Sequence, residues 1–132
     1  MCNNYNLDMV GDTNNDNKWD FVLFSHKLGK NIQIEMKEDF MAWKTGNTVV
    51  EYECRGKPSG IKTTRASYFV YSILDKDGNP DKHYLIPKKK LDWMIENRMY
   101  KDKVTGGDVG SNTKMYRFKL DIFAKNSWEL KL

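Results

Sequence analysis

Cysteine and histidine are scarce in this 132-residue chain: Cys2, Cys54, His26 and His83 are all there is of either. Two cysteines cannot build the disulfide framework of a small secreted domain, and without Cys-x-x-Cys or paired-His spacing nothing suggests zinc or a histidine-built metal site. Long apolar runs are missing as well. The longest, Phe21 to Phe24, is about four residues, against the roughly 20 of a membrane span, so no transmembrane helix is expected. The first residues, Met1-Cys2-Asn3-Asn4-Tyr5, carry no basic stretch followed by an apolar block. The expected setting is therefore the cytoplasm, a host's cytoplasm for a phage-encoded chain. Arginine is confined to positions 55, 65, 98 and 117, a bias most simply ascribed to coding composition and given no functional weight.

What is present is the balance of one globular domain: 39% hydrophobic residues, 30% charged, and a formal net charge of +4. A mildly basic domain favours an anionic partner, nucleic acid first. Residues 1–17 are rich in Asn and Asp without apolar periodicity and read as a loose arm. From Lys18 onward β-formers dominate. Trp19 to Phe24 and Asn31 to Lys37 flank Lys27-Leu28-Gly29-Lys30 as a hairpin. Thr48 to Cys54, ended by Gly56-Lys57-Pro58-Ser59-Gly60, adds a third strand, and a three-strand meander is expected. Ser67 to Leu74 and His83 to Pro87 form a second hairpin. Leu91, Met94, Ile95 and Met99 recur at helical spacing and predict one amphipathic helix over 88–100. Residues 104–113 read as a flexible loop, Met115 to Phe123 as a last strand and Trp128 to Leu132 as a tail. The fold class is α+β, a single domain over 1–132 on a mostly antiparallel or mixed central sheet with one main helix.

A symmetric hairpin centred between Lys27 and Leu28 sets Asp20 directly opposite Glu35, with Cβ atoms roughly 5 Å apart. Facing carboxylates repel unless a cation lies between them, which is a physical reason to expect a divalent metal; Mg2+ (or Mn2+) suits such oxygen ligands. Alternation places Lys37 on the face of Glu35, roughly 7 Å further along, and turns Ile34 and Met36 into a core. Two acids around a metal, with one ammonium beside them, fit phosphodiester hydrolysis. The metal activates water and neutralises phosphate, and Lys37 orients that water or stabilises developing charge.

Asp20, then Glu35-Met36-Lys37 within paired strands, then Glu51-Tyr52-Glu53 and Gly56-Lys57-Pro58-Ser59-Gly60-Ile61, resemble the PD-(D/E)XK nuclease superfamily over roughly residues 18–74. The likeness is to its small phage or bacterial endonucleases and Holliday junction resolvases. It implies a restriction-endonuclease-like fold and Mg2+ held by Asp20 and Glu35, with the Met36 carbonyl also able to touch metal. It further implies Lys37 as a catalytic residue and DNA, including branched DNA, as substrate. Trp19 stands where the superfamily usually has Pro, and no Glu precedes residue 35 to supply the acid often found on its first helix. Acid-x-Lys triplets occur three times in this chain, and only Glu35-Met36-Lys37 lies in an apolar-flanked strand behind an Asp-bearing partner.

Glu51 is a candidate further ligand or Lys37 partner, and in the expected meander Glu53 falls beside Glu35. Asp39 alternates onto the same face near the strand end and reads as a solvated acid. Lys57, Ser59 and Lys62 flank a Gly-Pro turn whose amides and ammonium groups could grip a phosphate. Lys88, Lys89 and Lys90 oppose the dipole of the helix they begin, an arrangement that either phosphate or plain solvation relieves. Tyr68, Phe69, Tyr71, Trp43 and Trp93 read as structural. Gly106-Gly107-Asp108 is either a flap or an ordinary connection. The plainer reading of the acids is the wet face of a half-buried sheet. The alternative functions are a non-catalytic β-rich nucleic-acid-binding module and a small interaction protein or inhibitor. A homodimer would suit an enzyme that makes two cuts at a junction.

Overall fold

In a computed structural model that describes residues 7–11, 21–25 and 29–131, the chain is an α+β protein built on two sheets. The first sheet takes β1 (Leu7–Gly11), β2 (Phe21–Ser25), β3 (Lys30–Asp39), β6 (Tyr68–Leu74), β7 (Pro80–Pro87) and β10 (Trp128–Leu130), in the order β1-β2-β3-β6-β7-β10. The second takes β4 (Asn47–Cys54), β5 (Lys57–Pro58), β8 (Asp102–Gly106) and β9 (Thr113–Lys119), in the order β5-β4-β9-β8. Among the described residues three helices connect them: α1 (Ala42–Thr45), α2 (Lys88–Glu96) and α3 (Leu120–Lys125), with a 3-10 turn at Gly60–Lys62. Among the described residues no helix is long and apolar enough to cross a membrane.

β6 is the hub, and its composition says why. Phe69 to Leu74 are all buried, the near-continuous apolar run of a strand covered on both faces. Its odd residues Phe69, Tyr71 and Ile73 join Tyr84 and Ile86 of β7, Val50 of β4, and Tyr116 and Phe118 of β9 in one core that binds the two sheets together. Phe123 of α3 is fully buried there, its ring edge-on to Tyr71 at 4.7 Å between centroids. Leu91 and Met94, one helical turn apart on α2, close one side of that core. Val70 faces the other way, with Ile32, Ile34, Leu85 and Leu130, and Met36 packs against this second cluster.

The hairpin register expected from the sequence is the one formed: Phe21 pairs Ile34 and Ser25 pairs Lys30. Asp20 lies outside the described residues. The meander does not form. β3 instead pairs β6 in parallel, Ile34 with Tyr68 through Asp39 with Ile73, and β4 leaves for the second sheet, where it pairs β9. Within the expected loose arm, Leu7–Gly11 is an antiparallel edge strand on β2. The expected flexible loop at 104–113 is a hairpin, β8 to β9. Its turn is tied by the Ser111 hydroxyl, which donates to the Asp108 carbonyl at 2.7 Å, and a side chain at Gly107 would collide with Thr113 Oγ1 at 2.5 Å. The expected last strand is formed as β9, but it ends at Lys119, where α3 begins, and the expected tail contains β10, which pairs β7.

Candidate active site

Because β3 lies in register with β6, Glu35, Lys37 and Asp39 sit beside Phe69, Tyr71 and Ile73 and share their face, toward the second sheet. The Glu35 side chain is 12% exposed, and both carboxylate oxygens are engaged. Oε2 meets the Lys37 ammonium at 2.8 Å, and Oε1 accepts the Thr64 hydroxyl at 2.7 Å. Thr64 Oγ1 in turn accepts the Ala66 N–H at 3.1 Å, so the segment leading into β6 orients the acid. Lys37 stays 40% exposed. Met36 turns to the opposite face, as alternation requires, and only its backbone belongs to the neighbourhood of Glu35.

Tyr71 marks where the charges converge. It is 3% exposed, and its hydroxyl donates to the Val49 carbonyl of β4 at 3.0 Å, a direct tie between the sheets. Burial first, then the negative charges of Glu35, Asp39 and Glu51, push this phenol far above its ordinary value. The charges of carboxylates on both sheets are thus felt at one hydroxyl, although among the described residues no three His, Cys, Asp or Glu side chains come close enough to hold a metal as a set.

Glu51 reaches this place by a route the sequence did not suggest. It pairs Met115 of β9, not β3, yet it lines the same cavity as Lys37, Asp39, Tyr71 and Arg117, a space of about 430 Å³. Glu53, past a bulge in β4, pairs with Lys114 at 3.1 Å and not with the surroundings of Glu35. Asp39 is no solvated acid. Its Oδ1 accepts the N–H groups of Met41 and Ala42 at 2.9 and 2.8 Å, and its Oδ2 accepts the fully buried Thr48 hydroxyl at 2.7 Å. Arg117 gives Nε–H and Nη2–H to Asp102, whose carboxyl it holds below its ordinary value.

The segment 57–62 packs onto β4 behind Glu51. Gly60 has φ +55°, and a Cβ there would lie 2.2 Å from the Glu51 carbonyl oxygen, so only glycine fits. Its amides are used internally: Ser59 N–H bonds Tyr52 O, Lys62 N–H bonds Ser59 O, and Thr63 and Thr64 N–H bond Gly60 O. The Ser59 hydroxyl is buried and without a hydrogen-bond partner among the described residues. What the segment turns outward is the charge of Lys57 and Lys62, both exposed. Lys88, Lys89 and Lys90 form the first turn of α2, which has no side-chain cap. Lys88 pairs with Asp92 at 2.9 Å, Lys90 lies 4.6 Å from the centre of the Trp93 ring, and Lys89 is exposed.

Phe69 and Tyr71 are core, as the sequence suggested, but Trp43 and Trp93 are about half exposed, at 49% and 46%. Phe40 and Met41, which match no motif in the sequence, are more exposed still and line the cavity. The available signal was two large apolar residues directly after the last acid of β3, where a polar turn would be ordinary. No family model, curated protein or solved structure matches this chain.

Proposed function

We propose that this chain is a Mg2+-dependent endodeoxyribonuclease that hydrolyses DNA phosphodiester bonds by direct attack of water, on a restriction-endonuclease-like core. The observation that carries the reading is the Glu35–Lys37 pair on one face of β3, with Lys37 opening into a cavity that Glu51 also lines. Carboxylate oxygens are the donors Mg2+ prefers, and it is commonly bound through one or two of them together with substrate phosphate and water. Glu35 would hold the ion with Asp20, whose part rests on the sequence, and with the Met36 carbonyl; Glu51 is the further candidate. When bound, the ion supplies a water of lowered pKa and offsets phosphate charge.

The chain's own groups do the rest. Thr64 fixes the Glu35 carboxylate, and Lys37, half exposed and held by Glu35, donates hydrogen bonds to the attacking water or to the phosphate oxygen that gains charge. Tyr71 keeps its proton and holds β4, with Glu51, against β3. Lys57, Lys62, Lys88, Lys89 and Lys90 would bind the DNA backbone. Lys37→Ala tests the proposal: with Mg2+, cleavage of labelled linear and branched DNA should fall by at least about 100-fold while binding persists. Parallel loss of binding and cleavage, or no EDTA-sensitive cleavage by the unaltered protein, refutes it.

The second reading, a non-catalytic nucleic-acid-binding module, draws on the exposed Trp93 with Lys90 over its ring, a pairing suited to stacking on bases. It predicts that Lys37→Ala leaves every measurable property of the DNA complex nearly unchanged.

A further inference from the structure

The cavity beside Lys37 has a wall for which phosphate chemistry has no use. β3 ends at Asp39, and the chain turns through Phe40 and Met41 into α1. Asp39 fastens that turn through the N–H groups of Met41 and Ala42 and is itself held by Thr48. Fastened surface turns ordinarily present polar residues. This one presents Phe40, 61% exposed, and Met41, 55% exposed, both lining the cavity. Val104 and Met115 of the second sheet line it too, together with Arg117, whose guanidinium is fixed by its two bonds to Asp102. The volume of about 430 Å³ falls in the roughly 300–1,000 Å³ range of small-ligand sites. An apolar patch on a fixed scaffold, continuous with a polar site, marks a place where something flat and partly apolar is held.

A phosphate needs no such wall, and a base stacked inside a duplex has no free face to offer it. An unstacked nucleobase has two apolar faces and a polar edge, and it arrives tethered to a phosphate. We propose that Phe40 and Met41 form the stacking wall of a pocket for one unpaired nucleobase next to the scissile phosphate. The substrate class is then DNA carrying an unstacked nucleotide, at a bulge, flap or branch, rather than continuous duplex. The inference rests on the nuclease reading for the position of that phosphate.

The test compares a fully paired duplex with the same duplex carrying one bulged 2-aminopurine, both in EDTA so that nothing is cut. The protein should bind the bulged DNA about tenfold more tightly, in line with the loss of stacking on one aromatic side chain, and should change the 2-aminopurine fluorescence. Phe40→Ala should abolish both effects and Phe40→Trp should keep them. Phe40 is exposed, so a matching urea midpoint is expected for each variant, and Met41→Ser carries the same comparison should Phe40→Ala fail to fold. Equal affinity for the two DNAs, or a preference that survives both Phe40→Ala and Met41→Ser, overturns the pocket. So does a change of sedimentation in Phe40→Ala with the bulge preference intact, which would make the patch a contact between two copies. Adding Mg2+ separates the two ideas. Equal cutting of paired and bulged DNA keeps the nuclease and removes the pocket, whereas a bulge preference without any cutting keeps the pocket and removes the nuclease.

Discussion

Replacing Tyr71 by Phe removes one oxygen atom from the seam between the two sheets and leaves the ring, with its packing on Phe123, in place. The hydroxyl gives one hydrogen bond to the Val49 carbonyl at 3.0 Å in a site that is 3% exposed. Losing such a bond and leaving the carbonyl without this donor costs about 1–2 kcal/mol at neutral pH, a fall in Tm of roughly 3–6 °C for a domain of this size. The pH dependence makes the test specific. Burial and the charges of Glu35, Asp39 and Glu51 keep the phenol protonated in the folded protein beyond 10.0, where an unfolded tyrosine ionises. Above that pH the unfolded chain binds fewer protons than the folded one, so stability falls as pH rises, approaching about 1.4 kcal/mol per unit from this group. Below it the contribution is complete and flat. Tyr71→Phe lacks the group and keeps the alkaline loss from Tyr116, whose phenol is also pushed up by burial. Urea unfolding followed by far-ultraviolet circular dichroism from pH 7 to 11 should therefore show a gap that closes above pH 10, the two proteins meeting at about pH 11. A constant gap across that range, or none at pH 7, refutes the account of Tyr71 as a buried, proton-retaining tie.

Gly60→Ala should cost at least about 1–3 kcal/mol in a urea melt, since the new Cβ meets the Glu51 carbonyl in a left-handed turn; an unchanged midpoint would mean the 57–62 segment is not seated on β4. Phe123→Ala should cost about 3–5 kcal/mol, a large part of the 5–15 kcal/mol a domain has, and a loss under 1 kcal/mol would contradict its place between the sheets. Asp102, held below its ordinary 3.8 chiefly by its hydrogen bonds to Arg117, contributes stability that is complete above that value and fades as pH falls through it. Asp102→Asn should remove this acid sensitivity, readable as a Tm that changes less between pH 5 and 3. Replacing Lys89 by Ala should lower the slope of log binding constant against log salt by about 0.9 if it contacts duplex phosphate, and leave it alone if it is only solvated.

The local features of this fold are written in local patterns. The turn signal in Lys27-Leu28-Gly29-Lys30 and the alternation of β3 pointed to the β2–β3 register, and Leu91, Met94 and Ile95 announced α2. Partner choice is not written that way. In β4, Val50 points inward and Glu51 to the cavity whether the neighbour is β3 or β9, because alternation sets faces and not neighbours. β6 does form the expected hairpin with β7, and its near-continuous apolar run was the one hint that it also has a parallel partner, β3, on its other side. Glu35 and Lys37 were legible because two residues apart on one strand means one face. Glu51 joined them only through a crossover that no short window contains. Asp39 looked free because its partners, Thr48 and the turn amides, exist only once the chain has doubled back. Phe40 and Met41 carry no local sign of their place, because exposure of large apolar residues breaks the rule by which sequences are read.

The parallel pairing of β3 with β6 has a consequence for how the protein is made. The segment between these strands, residues 40–67, contains β4, whose own partner β9 starts only at Thr113. Neither sheet can be finished until most of the chain has left the ribosome, and β4 must wait for some sixty residues of later synthesis with its backbone edge uncovered. Contacts this distant along the chain place spontaneous refolding in the millisecond-to-second range typical of β-rich domains and not among the microsecond folders. During that interval a nascent chain offers β4 to any passing strand, and yield in rapid expression should depend on temperature and on chaperones more than on the stability of the finished molecule.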